Sequence, residues 1–239
     1  MNLAVIPARG GSKRIPRKNV KPFCGRPMIA WSISAARESG CFDRIVVSTD
    51  DDEVAEIAVA EGAEVPFRRP AELADDQTPT VPVIAHAVAW QSGQAAVERA
   101  CCIYATAPFI RPSELRAARS MIETQPCDYV LSVTSFPFPI QRAVRLDGDG
   151  RLAMFQPEHA GTRSQDLEEA YHDAGQFYWG RADAWIAGRP IMGPNSIGLR
   201  IPRARVQDID TPEDWERAEF LFRAMLARDN DDNDKESAN

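Results

Sequence analysis

Short apolar runs alternate with stretches of helical periodicity over the first part of the chain. The apolar runs are bounded by polar residues, glycines or prolines, which is typical of strands buried on both faces. We therefore predict strands over residues 3–6, 45–47, 101–104 and 129–133.

Between these runs, apolar residues recur at spacings of three and four, as on the buried face of a helix. In residues 52–60, Val54, Ile57 and Ala58 share one face, and Gly62 follows as a helix stop signal. The same spacing predicts helices over residues 28–39, around 81–88 and over 113–123. This alternation predicts an α/β fold in which helices flank both faces of a mostly parallel sheet.

The alternation breaks after residue 135, where Phe136-Pro137-Phe138-Pro139 interrupts it. Two short apolar runs then flank Asp147-Gly148-Asp149-Gly150, which is typical of a hairpin turn. The chain returns to a strand pattern at residues 176–179. We interpret residues 136–172 as a small arm that leaves the main sheet and packs against a second subunit. A simple surface flap would give the same pattern.

The last helix is predicted to begin at Thr211, which can cap it, with Pro212 at the first helical position. Its buried face is formed by Trp215, Ala218, Phe222 and Met225. Residues 229–239 are polar and acidic, and we expect them to form a disordered tail. Residues 1–228 are interpreted as a single domain that includes the arm.

Composition narrows the class of protein. The chain has 239 residues, of which 44% are hydrophobic, and its 28 basic and 35 acidic side chains give a net charge of −7. This charge argues against a binder of nucleic acid or of anionic membranes. No apolar run approaches the roughly 20 residues of a membrane span. Five cysteines without a CxxC pair argue against a disulfide or zinc framework. We therefore expect a cytoplasmic protein without a nucleic-acid or membrane partner.

The most informative segment follows the first predicted strand. From Arg9 to Lys21 the chain carries six basic residues and no acidic one, together with Gly10, Gly11 and Ser12. Glycines let backbone N–H groups turn toward a ligand, and α/β sheets bind ligands in loops at the carboxyl ends of their strands. Backbone donors and converging cations suit a polyphosphate. The simpler alternative is a solvated basic loop.

The spacing within this loop fits neither of two common nucleotide motifs. It is not GxxxxGK[ST], which disfavours a P-loop NTPase. It is not GxGxxG either, which disfavours a dinucleotide-dependent dehydrogenase. The sequence therefore indicates a phosphate site of another class.

A second candidate site is the pair Asp208 and Asp210 on either side of Ile209. Side chains alternate in an extended segment, so both carboxylates would point the same way and could hold a hard cation such as Mg²⁺. Spacing alone favours a simpler interpretation, in which Asp210 helps the last helix begin and Asp208 is solvated. The basic loop shifts the balance toward a metal, because metal-bridged phosphates need carboxylates on their far side.

Two further features carry weaker signals. Ser48-Thr49-Asp50-Asp51-Asp52 follows the second strand, and we expect Thr49 or Asp50 to cap the next helix rather than to bind a ligand. His172, where the arm rejoins the sheet, is a weaker candidate for contact with a substrate.

Taken together, these motifs resemble a known family. Residues 6–13 and 16–19 are similar to the phosphate loop of the sugar-acid cytidylyltransferases, which are enzymes like CMP-N-acetylneuraminic acid synthetase. Residues 45–50, 69–73 and 208–211 fall in the same order as other motifs of that family. The resemblance runs from about Met1 to Arg228 and implies a Rossmann-like nucleotidyltransferase sheet.

One departure points to a particular branch of that family. The sialic-acid enzymes carry a Gln-Pro-Thr-Ser-Pro-like run, and this chain has Tyr104-Ala105-Thr106-Ala107-Pro108 in its place. That run, with residues 23–30 and 171–180, resembles the pseudaminic acid cytidylyltransferases. The implied substrate is a bacterial nine-carbon diamino sugar acid, of the kind used in flagellin glycosylation.

The resemblance also implies roles for individual residues. The positions implied to bind CTP are Ala8, Arg9, Gly10, Gly11, Ser12, Lys13, Lys18, Asn19, Arg69 and Thr80. Those implied to contact the sugar acid are Tyr104, Thr106, Arg163, Gln165, Gln176 and Tyr178. Asp208 and Asp210 are implied to bind a Mg²⁺ cofactor, and with Arg9 and Lys18 they form the implied catalytic set. Arg163 and Gln165 lie in the arm and would reach the sugar carboxylate of a second subunit in a homodimer.

The activity that follows is nucleotidyl transfer. The anomeric hydroxyl of the sugar acid would attack the α-phosphorus of CTP, giving a CMP-sugar and pyrophosphate. Transfer to sialic, legionaminic or 3-deoxyoctulosonic acid is the alternative within the class. A regulatory module that binds nucleotide without turnover is the alternative outside it.

Overall fold

A six-stranded sheet lies at the centre of the protein. The structure is a computed structural model that describes residues 1–75 and 77–237. In chain order its elements are β1 (Asn2–Pro7), β2 (Pro22–Phe23), β3 (Arg26–Pro27), α1 (Met28–Ser39), β4 (Arg44–Ser48), α2 (Asp52–Ala60), α3 (Thr80–Ser92), β5 (Arg99–Ile103), α4 (Pro112–Thr124), β6 (Tyr129–Ser135), β7 (Val144–Leu146), β8 (Leu152–Met154), β9 (Tyr171–Arg181), α5 (Ala182–Ile186), β10 (Ser196–Arg200) and α6 (Pro212–Ser237).

The strand order in this sheet is β10-β6-β9-β5-β1-β4. Neighbouring strands are parallel except at β9, which runs antiparallel to both β5 and β6. The predicted mostly parallel α/β sheet is therefore confirmed. The sequence did not indicate that β9 would be reversed and inserted between two parallel strands.

The sheet is buried on both faces, and β1 shows why its sequence is continuously apolar. Ala4 and Ile6 pack with α1, α2 and α4 on one face, whereas Leu3 and Val5 pack with α3 and α5 on the other. Successive side chains of a strand point to opposite faces, so a sheet covered on both sides needs apolar residues at every position.

A third apolar cluster attaches α6 to the loop region before α1. Phe23 packs edge-on against Trp215 and Phe222, with ring centroids 5.4 and 5.3 Å apart. The start of α6 is capped as predicted, since the hydroxyl of Thr211 accepts a hydrogen bond from the backbone N–H of Asp214 at 3.1 Å. The Asp214 carboxylate in turn accepts from the backbone N–H of Thr211 at 2.8 Å.

Helix α6 continues to Ser237, past residue 229, where the sequence led us to expect a disordered tail. Asp229 accepts two hydrogen bonds from the guanidinium of Arg111, at 2.7 and 2.9 Å. This contact joins the helix to the start of α4, and the sequence could not indicate it. Residues 238 and 239 of the predicted tail lie outside the described residues.

The predicted arm leaves the sheet after β6 and returns at the start of β9. It contains the hairpin of β7 and β8, whose turn includes Gly150 at a φ of +78°. Phe138, Leu146, Leu152 and Phe155 are 61–80% exposed in the single chain. In the part of the chain that the structure describes, no helix has the length and apolarity needed to cross a bilayer.

Candidate nucleotide site

An open cavity of about 510 Å³ lies at the carboxyl ends of β1 and β5. The loop that follows β1, residues 8–21, forms one wall, and the residues that follow β5 form another. This edge of a parallel sheet is where α/β folds bind their ligands. The cavity therefore lies where the sequence placed the phosphate site.

Ten of the residues predicted for the site line this cavity. They are Arg9, Ser12, Lys13, Lys18, Asn19, Arg69, Thr80, Tyr104, Thr106 and Asp210. The lining also includes residues that the sequence motifs did not single out, among them Arg14, Asp75 and Thr78. Five basic side chains and two acidic ones thus face the same cavity, in a chain whose net charge is −7. A local field of this sign favours a polyanion.

The backbone of the basic loop is held in place from two sides. The side-chain amide of Asn19 donates to the carbonyl of Arg9 at 2.8 Å. The backbone N–H of Gly10 donates to the carboxylate of Asp50 at 3.1 Å, and that of Ala8 to the carbonyl of Ser48 at 2.9 Å. The loop therefore keeps one conformation relative to the end of β4, which positions its cations before a ligand arrives.

Asp51 connects the loop to α2. Its carboxylate accepts hydrogen bonds from the guanidinium of Arg17 at 2.7 and 3.1 Å and from the backbone N–H of Val54 at 2.9 Å. It is therefore the N-cap of α2, and the prediction of Thr49 or Asp50 was wrong by one or two residues. The contact with Arg17 lowers the pKa of Asp51, so that the carboxylate stays ionised.

The approach of Asp51 also explains Gly10. A Cβ built at Gly10 would lie 2.4 Å from Oδ2 of Asp51, whereas one built at Gly11 would have no atom within 4 Å. Gly10 is therefore required for packing, and the side chain of Asp51 sets that requirement. Neither glycine has a side chain to line the cavity, and Ala8 is buried in the core.

Asp210 is the acidic residue around which the cations converge. Its two carboxylate oxygens lie 2.7 Å from a guanidinium nitrogen of Arg14 and 3.4 Å from Nζ of Lys18. Lys18 is mostly buried, with 16% of its side chain exposed, whereas Arg14 is 70% exposed. The start of α6 is thereby joined to the basic loop across the cavity.

Asp208 differs from its partner in the predicted metal pair. Ile209 is 2% exposed, while Asp208 is exposed and outside the cavity lining. Among the described residues no group of three or more acidic, His or Cys side chains could hold a metal ion. Carboxylate oxygens nevertheless suit Mg²⁺, which binds through one or two carboxylates when substrate phosphates supply further ligands. The donor set of Asp208 and Asp210 therefore fits Mg²⁺ together with a polyphosphate.

Arg69 is a buried cation at the far side of the cavity. Its guanidinium donates to the hydroxyl of Ser48 at 3.1 Å and also to the Ser48 carbonyl. Burial lowers the pKa of Arg69, and the charge of Asp50 opposes that effect. These contacts anchor the guanidinium at the end of β4, where it can meet a ligand without rearranging.

A chain of hydroxyl groups leads from the cavity wall into the protein. The hydroxyl of Tyr104 lies 3.4 Å from that of Thr80 and 3.2 Å from that of Tyr178. Tyr178 in turn donates to the carboxylate of Asp173. Burial raises the pKa of both tyrosines, so both stay protonated in ordinary buffers. Tyr178 and Asp173 do not line the cavity themselves.

Four residues that were predicted to contact the sugar substrate lie outside the cavity lining. Gln176 is 3% exposed and donates to the carbonyl of Arg205 at 2.6 Å. His172 packs against the ring of Phe136, with centroids 4.8 Å apart. Arg163 and Gln165 lie on the exposed surface of the arm, where Arg163 pairs with Asp166 at 3.0 Å. A single chain therefore does not bring these residues to the predicted substrate.

The fold and the cavity together define an α/β protein whose basic loop lines a cavity at the carboxyl ends of its strands. The family model described as cytidylyltransferase matches residues 3–182, and the chain belongs to this family. The match includes the basic loop, Arg69, Thr80 and the strands that surround the cavity.

The chain is also similar to individual members of this family and to solved structures. The chain is 44% identical to a pseudaminic acid cytidylyltransferase of Campylobacter jejuni, over 93% of this chain and 96% of that protein. It is 34% identical to a CMP-N,N'-diacetyllegionaminic acid synthase of Legionella pneumophila, over 92% of this chain and 95% of the relative. Among solved structures, CMP:2-keto-3-deoxy-manno-octonic acid synthetase complexed with CTP superposes with a TM-score of 0.67. That match has 18% identity and covers 95% of this chain and 99% of the other, and it shows the shared fold.

Proposed function

We propose that this chain transfers CMP from CTP to the anomeric hydroxyl of pseudaminic acid, releasing pyrophosphate. The observation that carries the proposal is the cationic, prearranged loop after β1. It lies in a chain that is 44% identical, over nearly its whole length, to a pseudaminic acid cytidylyltransferase. The relative at 34% identity is named for a different sugar acid, so the experiment must distinguish between these acids.

The chemistry asked of the protein is positioning and charge neutralisation. Attack of a hydroxyl oxygen on the α-phosphorus forms one P–O bond and breaks the bond to the pyrophosphate oxygen, and the hydroxyl proton passes to solvent or to a base. Arg9, Lys18 and Arg69 would hold the triphosphate and stabilise the charge that grows on the leaving pyrophosphate.

Asp208 and Asp210 are the residues that would hold Mg²⁺. When bound, the ion would neutralise phosphate oxygens and polarise the reacting phosphorus. Asp210 faces the cavity, and its contacts with Arg14 and Lys18 would be rearranged by a nucleotide that brings its own cation.

A homodimer is proposed to complete the site. The arm exposes Phe138, Leu146, Leu152 and Phe155 in the single chain, and apolar side chains clustered in this way need a surface to cover them. Arg163, which lies outside the cavity of its own chain, has the forked guanidinium that suits a sugar carboxylate. A second subunit is the surface that would use both features.

A cytoplasmic location is also proposed. All five cysteines are free thiols, and Cys41, Cys101, Cys102 and Cys127 are buried. Burial raises the pKa of Cys101 and of Cys127. Inert, unpaired thiols of this kind are typical of a reducing compartment.

Pyrophosphate release measured with each of four nucleoside triphosphates against a panel of sugar acids tests the function. The panel contains pseudaminic, legionaminic, N-acetylneuraminic and 3-deoxyoctulosonic acids. Release with CTP and pseudaminic acid is expected to exceed every other combination. If pyrophosphate release is highest with another acid, that acid is the substrate. If the protein binds nucleotide but releases no pyrophosphate, it is a regulatory module.

A further inference from the structure

The hydroxyl chain from Thr80 to Asp173 has a fixed direction. An ionised carboxylate only accepts hydrogen bonds, and each hydroxyl has one proton to donate. Tyr178 donates its proton to Asp173, so its oxygen is left as the acceptor for Tyr104. Tyr104 then donates to Tyr178, and its own oxygen becomes an acceptor on the side of Thr80.

The consequence reaches the cavity. Tyr104 and Thr80 both line it. Because Tyr104 gives its proton to Tyr178, the 3.4 Å contact between Thr80 and Tyr104 is closed by the proton of Thr80. Both oxygens then have only lone pairs to offer a ligand. At this point the wall can therefore satisfy a ligand hydroxyl or N–H, whereas a phosphate or carboxylate oxygen would meet another hydrogen-bond acceptor.

The backbone of β9 is shaped to bring Asp173 to Tyr178. Five positions separate the two, and in a regular strand an odd separation would put them on opposite faces. The ladder with β6 is irregular here, since Leu131 pairs with Tyr178 while Val133 pairs with Asp173. Gly175 lies between them at a φ of +62°, and its N–H donates to the Asp173 carboxylate at 2.8 Å. The bulge and this bond aim the carboxylate at the tyrosine.

We propose that Asp173 is a positioning residue that sets the direction of the Tyr178–Tyr104–Thr80 chain, so that the cavity wall selects a hydrogen-bond donor of a substrate. The inference rests on the proposed function, because the donor belongs to one of its two substrates. It is either a hydroxyl or amino group of the nucleoside, or a hydroxyl or amide N–H of the sugar acid.

The test compares D173N, Y104F and the double variant with wild type and with E56Q, which is an acid-to-amide control on the exposed face of α2. An asparagine can turn either its oxygen or its NH₂ group toward Tyr178, so the chain loses its fixed direction. KM is measured for CTP at saturating sugar acid and for the sugar acid at saturating CTP, with thermal unfolding as a folding check.

D173N is expected to raise one KM about three- to tenfold, as for the loss of one hydrogen bond, while the other KM and kcat change little. The KM that rises identifies the substrate that carries the donor. In the Y104F background D173N should add nothing, because the chain is already broken there. A purely structural Asp173 would change both KM values with a fall in thermal stability.

Unchanged KM values in D173N, or additive effects in the double variant, would overturn the inference while leaving the proposed function intact. Wild-type protein that releases no pyrophosphate from CTP with any sugar acid would instead overturn the function. E56Q is expected to match wild type throughout.

Discussion

At the scale of single residues, the site depends on contacts between side chains far apart in the sequence. Asp50 and Asp51 hold the basic loop by its backbone and by Arg17, although they follow a different strand. The loop is thus a fixed binding surface, and changes that disturb its support should reduce nucleotide binding as strongly as removal of a cation.

Gly10 provides the sharpest test of that support. In G10A the new methyl group would overlap Oδ2 of Asp51, at 2.4 Å, and should displace the acidic side chain or the loop. We expect a loss of about 1–3 kcal/mol in the free energy of unfolding, the usual cost of overpacking, and a higher KM for CTP. G11A is the matched control for stability, because a Cβ there has no protein atom within 4 Å. Equal free energies of unfolding in the two variants would show that Asp51 does not constrain the loop.

Lys18 tests whether the basic loop binds the phosphates of CTP. A charge-assisted contact with a phosphate is worth roughly 1.5–3 kcal/mol, so K18A should lower kcat/KM for CTP on the order of 10- to 100-fold. R217A, which removes an exposed cation from α6, should leave kcat/KM unchanged. The two variants are compared by steady-state kinetics and by chemical denaturation. A wild-type rate in K18A would show that the loop is a solvated basic segment that does not bind the phosphates.

At the scale of elements, α6 positions Asp210 by starting where it does. The reciprocal hydrogen bonds between Thr211 and Asp214 make the helix begin shortly after Asp210. They also hold the backbone of Asp210, because its N–H donates to the Asp214 carboxylate at 3.2 Å. The helix cap is therefore part of the construction of the site.

Removal of the Thr211 cap should lower the stability of the protein and also weaken its use of CTP. T211A should cost about 1 kcal/mol, which in a chain of this length lowers Tm by roughly 2–4 °C, and should raise the KM for CTP. T124A is the control, because the Thr124 hydroxyl donates to the Ser120 carbonyl at the end of α4, away from the cavity. An unchanged Tm in T211A would show that the remaining contacts of α6 fix its start without the cap.

At the scale of the whole molecule, the exposed arm and the position of Arg163 outside the cavity of its own chain predict that a working site needs two chains. In sedimentation at micromolar concentration the protein should behave as a dimer. The inactive variants R163A and D210A, mixed under conditions of subunit exchange, should regain part of the wild-type activity, because a heterodimer then contains one intact site. Mixing that restores nothing would place Arg163 in the site of its own chain or outside the mechanism.

Features determined by neighbouring residues could be predicted from the sequence. The bounds of α1 and α2 match the predicted helices residue for residue, because apolar spacing and stop signals are local. The basic loop could be assigned to a phosphate site for a similar reason. The cations and glycines are concentrated in one short segment, and its position directly after the first strand predicts that it lies at the ligand-binding edge of the sheet.

Features determined by distant pairing were decided only by the tertiary structure. β10 was missed because its alternating, partly exposed residues give a weak signal, and it becomes a strand by pairing with β6. The reversed strand β9 brings Tyr178 to Tyr104, 74 positions away, and its bulge adds Asp173. The spacing of apolar residues shows which face of an element is buried, but not which other element covers that face. The direction of the hydroxyl chain depends on which strand lies beside β5, so only the tertiary structure could decide it.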